Sequence, residues 1–105
     1  MAWLILIVGG LFEVVWSYAM KLSDGFTQLS YTLVCIVAMI ISVWFLAIAM
    51  KTLPLGTSYL AWTGIGAVGA FIVGVVALGE PATAQRIGAA LLIVAGIVLI
   101  GTASD

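Results

Sequence analysis

The chain contains very little charge and no histidine. Three of its 105 residues are Lys or Arg, four are Asp or Glu, and the formal net charge is −1. Charged residues make up 7% of the chain, whereas about 25% is usual in soluble domains. A chain without a basic face has little with which to hold a nucleic-acid backbone. We therefore expect no nucleic-acid partner.

The shortage of cysteine and histidine limits the possible chemistry further. Cys35 is the only cysteine, so no disulfide can form within the chain, and we expect it to be a small apolar residue in a buried helix. With no histidine and one thiol, no plausible zinc site remains, and we expect no metal or cofactor. No catalytic constellation accompanies any acidic residue within the apolar runs. Enzymatic activity is therefore not expected.

Apolar residues are what the chain has in abundance. Hydrophobic residues make up 66% of it, and the mean hydropathy is +1.40. Four apolar runs cover residues 2–20, 31–50, 57–78 and 86–101, of which the last is the shortest. A membrane span needs about 17–25 such residues, and a helix satisfies its own backbone hydrogen bonds in lipid. The sequence predicts an all-α membrane protein in which residues 1–105 form one domain of four transmembrane helices.

The connections between these runs are short and hold almost all of the charge. They contain turn-forming residues, among them Asp24-Gly25, Pro54 and Thr83, a candidate helix N-cap. Four helices place both termini and Lys51 on one side of the membrane, and Lys21 and Arg86 on the other. Cytoplasmic loops usually carry the excess of Lys and Arg. One basic residue on one side against two on the other is a weak bias. Two possibilities therefore remain open, insertion in both orientations or a single orientation resolved by the insertion machinery.

One acidic residue lies far from any connection. Glu13 is in the middle of the first run, within the stretch GGLFEVVW at residues 9–16. An acidic residue at a helix centre costs about 2.5–3.5 kcal/mol on insertion, and it usually has a function. The alternative is a protonated carboxyl that only joins helices by hydrogen bonds. No lysine or arginine lies at this depth, so the missing partner is a proton or a cationic ligand. Competition between the two for one carboxylate would couple their movements, provided that the site opens to one side at a time.

Other polar side chains are expected near Glu13. Residues that share its face of the first helix or lie at a similar depth are Gly9, Gly10, Trp16, Ser17, Ser42, Tyr59, Trp62 and Thr63. Together they would suit a planar cation with several N–H donors, and an aromatic face would add cation–π attraction. Each has another explanation, since Trp and Tyr often anchor helices at the interface and a membrane serine often bonds its own backbone.

Small residues suggest where helices meet. Gly64, Gly66 and Gly69 in the third helix predict either a bend or a close helix contact, and the pattern does not separate the two. Ala89 and Gly96 lie two turns apart in the fourth helix, as do Gly88 and Ala95, and this spacing predicts a dimer seam, for which we favour Ala89 and Gly96. A closed four-helix bundle leaves little room for a solute path. Transport would therefore require an oligomer.

Taken together, these motifs resemble those of the small multidrug resistance transporters. The resemblance runs nearly end to end, through GGLFEVVW, KLSDGFT, Ser42, KTLPLGTSYLAWTGIGAVGA and GEPATAQR. Within that family the stretch around Glu13 is similar to the guanidinium exporters, because Gly10 precedes the glutamate by three residues and Trp16 follows it by three. Exporters of aromatic cations typically carry a small Gly-Thr pair after the glutamate.

The resemblance implies an antiparallel homodimer of oppositely inserted copies in the lipid bilayer of the bacterial inner membrane. It implies exchange of a guanidinium-type cation for about two protons, if each glutamate takes one. Glu13 would bind proton and cargo, and Ser42, Trp16 and Trp62 would orient the glutamates and ligand. Tyr59 would line the site and assist switching between inward- and outward-facing states. Gly10 would make room.

Several alternatives remain open at this stage. A quaternary ammonium exporter of the same family would leave the hydrogen-bonding groups mostly idle, because its cargo has no N–H. A passive cation channel would conduct without a proton gradient, and an assembly subunit would tolerate Glu13→Gln. Some family members pair unlike chains. Val43 stands where guanidinium exporters often have an aromatic residue, which leaves open the acceptance of guanylurea, biguanides or other substituted guanidines.

Overall fold

The protein is a set of four long helices joined by short connections. The computed structural model describes residues 1–103 and shows no strand among them. The helices are α1 (Ala2–Leu22), α2 (Leu29–Ala49), α3 (Leu55–Leu78) and α4 (Ala84–Thr102), and each is long and apolar enough to cross a membrane. The prediction of an all-helical protein with four such helices is confirmed. α1 begins at its expected first residue, and the other three begin two residues before theirs.

The first connection is organised by a buried serine. The Ser23 hydroxyl donates to Met20 O at 2.6 Å and accepts from the Phe26 backbone N–H at 3.0 Å. Asp24, Gly25 and Phe26 then take left-handed backbone conformations, with φ of 51°, 71° and 67°. Such φ values are uncommon outside glycine, and the Ser23 bonds help to hold the backbone there. The predicted Asp24-Gly25 turn therefore lies where α1 reverses into α2.

The other two connections end and begin helices by ordinary capping. Pro54 precedes the first residue of α3, where a missing N–H has little consequence. Gly79 closes α3 in a left-handed conformation with φ of 69°, and the next N–H, that of Glu80, donates to Gly74 O at 3.0 Å. The Thr83 hydroxyl accepts from the Arg86 N–H at 3.2 Å. The predicted N-cap of α4 is therefore confirmed.

The helices form a flat row and not the closed bundle that four helices were expected to form. α1 contacts α2 on one side and α3 on the other, while α4 contacts α3 and α2 meets α3 only briefly. The principal extents are 43 × 34 × 17 Å, and a single helix with side chains is about 10–12 Å across. The thin dimension is thus less than two helix diameters. The expectation of a solid bundle fails because α4 packs mainly against α3, so the four helices do not close around a common core.

The packed core lies toward one end of the helices, near one membrane surface. It consists of Leu6, Leu46, Ala49, Ala61 and Trp62, with Trp3, Met50 and Leu53 against it. These residues come from the start of α1, the end of α2 and the start of α3, so the core lies on the side of the termini and second connection. Cys35 is buried within α2, as predicted. α4 has no buried residue, which leaves it the most exposed helix.

Candidate functional site

A buried hydrogen-bond chain joins the first three helices. The Ser42 hydroxyl of α2 donates to Gly9 O of α1 at 2.7 Å, and Trp62 Nε1 of α3 donates to Ser42 Oγ at 3.0 Å. Ser42 is fully buried and Trp62 is 8% exposed. A membrane serine commonly bonds to its own helix, whereas Ser42 bonds to two neighbouring helices. The expected convergence of Ser42 and Trp62 in depth is therefore present.

The chain can form because α1 has no side chain where α2 approaches. A Cβ added at Gly9 would lie 3.2 Å from Phe45 Cβ and 3.4 Å from both Ser42 O and Trp62 Cδ1. A side chain there would meet backbone as well as two neighbouring side chains. Gly9 therefore lets the three helices come close enough for one hydroxyl to join them.

Tyr59 lies beside Trp62 and reaches an exposed surface of the protomer. Its ring centroid lies 5.7 Å from that of Trp62, with the planes at 43°. Tyr59 is 52% exposed, in contrast to the buried Trp62 one turn away. The pair therefore runs from the buried hydrogen-bond chain to an exposed surface of the protomer.

Glu13 lies one turn beyond Gly9 on α1 and is half-buried. Its Oε1 is buried and has no hydrogen-bond donor among the described residues. The Trp16 Nε1 is also buried and has no hydrogen-bond acceptor among them. Buried polar groups are nearly always paired. An unpaired carboxylate oxygen and an unpaired N–H, three residues apart on one helix, are groups suited to binding something other than the surrounding protein.

The glycines of α3 hold this helix close to its neighbours. A Cβ at Gly66 would overlap Glu13, lying 2.6 Å from its Cδ and 2.7 Å from its Cβ, and one at Gly69 would overlap Val14 Cγ2. Gly64 points the other way, toward Ile97 of α4, at 2.7 Å. α3 is one uninterrupted helix. Close packing thus accounts for all three positions, and a bend at them stays a prediction.

Gly10 also lies at a helix contact. A Cβ added there would be 2.5 Å from Ile65 Cγ2 of α3. The space beside Gly10 is therefore filled by Ile65, and its predicted place in the lining of a cargo site stays a prediction.

Comparison with known proteins supplies the context for this site. The family model described as Small Multidrug Resistance protein matches residues 1–100. The chain belongs to the small multidrug resistance family. A relative in Yersinia pseudotuberculosis named guanidinium exporter is 52% identical over 104 residues, covering 99% of this chain and 100% of that protein. One of the same name in Escherichia coli K12 is 51% identical over 98 residues, covering 93% of each chain.

Within this small multidrug resistance protein, the remaining predicted residues lie on outer surfaces. Ala89 and Gly96 are both exposed on α4, and a Cβ added at Gly96 would meet nothing within 4 Å. Val43 is 48% exposed and lines a groove of about 610 Å³ along α2, together with Trp44 and Lys51. None of these three positions belongs to the hydrogen-bond chain of Gly9, Ser42 and Trp62.

Sequence reasoning missed one polar group beside this chain. Ser58 is fully buried, and its hydroxyl has no partner among the described residues. It directly precedes Tyr59 and shares a face of α3 with Trp62, four residues on. That spacing was the available signal. A serine in the first turn of a membrane helix ordinarily bonds to its own backbone, so its type and position did not predict an unpaired hydroxyl.

Removal of the Ser42 hydroxyl should damage both stability and cargo binding. In Ser42→Ala the Trp62 N–H loses its acceptor, and an unpaired buried donor costs on the order of 1–3 kcal/mol. We expect a lower melting temperature in detergent, together with an increase of about fivefold in the half-saturating guanidinium concentration. Thr32→Ala, which removes a hydroxyl bonded only to Gln28 O of its own region, is the matched control. Equal behaviour of the two variants would contradict a role for the Ser42 chain.

Proposed function

We propose that this protein exports guanidinium or a small substituted guanidinium cation across the bacterial inner membrane in exchange for protons, with Glu13 binding each in turn. The observation that supports it most directly is the intramembrane carboxylate oxygen without a protein donor. Such an oxygen is stabilised either by a proton or by a cation that supplies hydrogen bonds. Two relatives that match this chain over nearly their full length are named guanidinium exporters.

The chemistry of the neighbouring groups fits a planar cation with N–H donors. A carboxylate accepts two parallel N–H bonds from a guanidinium group. Trp16 would donate its free indole N–H to the same carboxylate, and Ser42 would fix the depth of the site through its bonds to Gly9 and Trp62. The exposed Tyr59 ring would contact the cation by its face. Quaternary ammonium cargo would use none of the N–H acceptors.

The active form would be an antiparallel homodimer. A flat row of helices cannot enclose a site of its own, and Glu13 is only half-buried, at a face that the protomer does not fully cover. A second, oppositely inserted copy would cover that face and bring a second carboxylate, so that two protons exchange for one cation. The near balance of Lys51 against Lys21 and Arg86 permits insertion in both directions. Ala89 and Gly96 of the exposed α4 would form the contact between the copies.

A bulky residue at the proposed seam should separate the dimer without disturbing the protomer. An added side chain at Gly96 meets open space within the chain, so Gly96→Leu is expected to fold. We expect it to lose most of the dimer, because small residues allow close helix approach in lipid. Crosslinking in membranes measures this. Gly56→Leu, in the first turn of α3 and also open within the protomer, is the control outside α4. A Gly96→Leu dimer at the wild-type level would contradict the seam.

The function is tested with purified protein in liposomes. An inward gradient of guanidinium is imposed, and internal pH or transport current is recorded. Guanidinium-driven proton efflux that saturates with concentration is the expected result. Guanidinium flux without any proton movement would indicate a passive channel, and the absence of both would overturn the proposal for this cargo.

Competition separates the two kinds of exporter. Guanidinium transport is measured in the presence of tetraethylammonium or phenylguanidine. Inhibition by the substituted guanidine alone is expected, since only it can donate N–H bonds to Glu13. Coupled transport of tetraethylammonium at a rate above that of guanidinium would favour the quaternary ammonium reading.

A further inference from the structure

A second carboxylate lies at the same helix contact as Glu13, nearer the membrane surface. A cavity of about 210 Å³ opens between the later turns of α1 and α3. Its polar and flanking residues are Ser17, Tyr18 and Lys21 of α1, Val73 and Gly74 of α3, and Glu80 of the third connection. It lies on the side of the first and third connections, opposite the packed core. No part of the site described above uses it.

The glycine face of α3 links this cavity to Glu13. Gly66 lies against the Glu13 side chain, and Gly74 lies against the Glu80 carboxylate, whose Cδ would be 2.9 Å from an added Cβ. The two glycines are eight residues apart, which is about 12 Å along a helix axis. Ser17 lines the cavity and follows Glu13 by one turn on α1. The two carboxylates therefore lie along one seam between α1 and α3.

Glu80 is exposed, and its position at the end of α3 favours a cationic partner. The left-handed Gly79 turns the chain back, and the Glu80 N–H bonds to Gly74 O, which holds the carboxylate over the last turns of α3. A helix C-terminus carries partial negative charge, so a carboxylate there is stabilised by a nearby cation. Lys21 is the only basic residue lining the cavity. The Ser17 hydroxyl donates to Val14 O, so its lone pairs remain free to accept.

We propose that this cavity is an outer binding site for the cargo cation, in which Glu80, Ser17 and Tyr18 supply oxygen acceptors for its N–H groups. The proposal rests on the proposed function, since it assigns the cavity the same guanidinium-class ligand. In an antiparallel dimer each membrane face would carry one such site. It would load cargo from one side and receive it on the other.

The test compares two variants that each remove one negative charge on the same side of the membrane. Glu80→Gln neutralises the cavity carboxylate, whereas Asp24→Asn neutralises an exposed residue of the first connection that does not line the cavity. Asparagine tolerates the left-handed conformation of Asp24. Acidic residues contribute little to insertion orientation, so both variants keep the topology. Guanidinium-driven current in liposomes then gives the half-saturating concentration and the maximal rate.

An outer site predicts a specific pattern. Glu80→Gln should raise the half-saturating guanidinium concentration about fivefold with little change in the maximal rate, while Asp24→Asn should change it less than about 1.5-fold at 0.15 M salt. Tyr18→Phe keeps the charge and should raise it about twofold. Equal effects of Glu80→Gln and Asp24→Asn would show a general surface potential and overturn the outer site.

The control on the proposed function is the wild type in the same assay. If wild-type protein moves no guanidinium, the proposed function itself fails. If it does so and Glu80→Gln matches Asp24→Asn, only the outer site fails. Should Glu80→Gln lose thermal stability, Tyr18→Phe decides alone, and a half-saturating concentration equal to that of wild type overturns the site.

Discussion

Glu13→Gln is expected to abolish guanidinium-driven proton movement in liposomes while leaving the protein folded. The substitution keeps the shape of the side chain but removes both the ionisable proton and the negative charge. The buried Oε1 has no donor among residues 1–103, so no existing hydrogen bond is lost with the charge. The loss of the anionic partner of the cargo cation at a poorly solvated site corresponds to a rate decrease of about 100-fold or more.

Two controls separate this loss from a structural fault. Glu13→Asp retains a carboxylate one methylene shorter, and we expect reduced but measurable coupled transport. Melting in detergent, followed by tryptophan fluorescence, should place Glu13→Gln within a few degrees of wild type. A folded Glu13→Gln protein with wild-type coupled transport would show that the carboxyl only joins helices. That result would contradict proton–guanidinium exchange at Glu13.

The number and type of helices follow from the sequence because lipid imposes one demand on every span. Each run must satisfy its own backbone hydrogen bonds, and about 20 apolar residues bridge the hydrocarbon core. The arrangement of the helices did not follow. A closed bundle was the expected packing, yet α4 packs mainly against α3. Hydropathy identifies which residues avoid water, but in lipid both the covered and uncovered faces of a helix are apolar.

The site was partly predictable for a similar reason. Ser42, Trp62 and Glu13 stood out because polar groups are rare in these runs, and counting residues from the membrane surface placed Ser42 and Trp62 at comparable depths. The hydrogen bond that the Ser42 hydroxyl donates to Gly9 O was not predictable, since a backbone carbonyl leaves no mark in composition. Ser58 escaped notice because its type and position suit an ordinary local bond, and only its burial without a partner distinguishes it.

Gly66→Ala is expected to impair both stability and transport, because Gly66 is where α3 touches Glu13. The added Cβ would meet the Glu13 Cδ at 2.6 Å and its Cβ at 2.7 Å. The carboxylate end could rotate away, but the Glu13 Cβ is fixed to the α1 backbone. The helices would therefore have to separate or slide. Overpacking of this kind costs on the order of 1–3 kcal/mol, and a carboxylate displaced by about 1 Å should slow transport about tenfold or more.

Gly56→Ala is the matched control, since it makes the same chemical change in the same helix where nothing lies within 4 Å. Alanine favours helix over glycine by about 1 kcal/mol, so this control should be neutral or slightly stabilising. Melting in detergent and guanidinium current are measured for both variants. Loss of stability in Gly66→Ala alone would support close packing at Gly66. A slower maximal rate with unchanged stability would instead favour a bend that moves during transport, because a hinge needs the freedom of glycine without needing its small size. Equal behaviour of the two variants would exclude both roles.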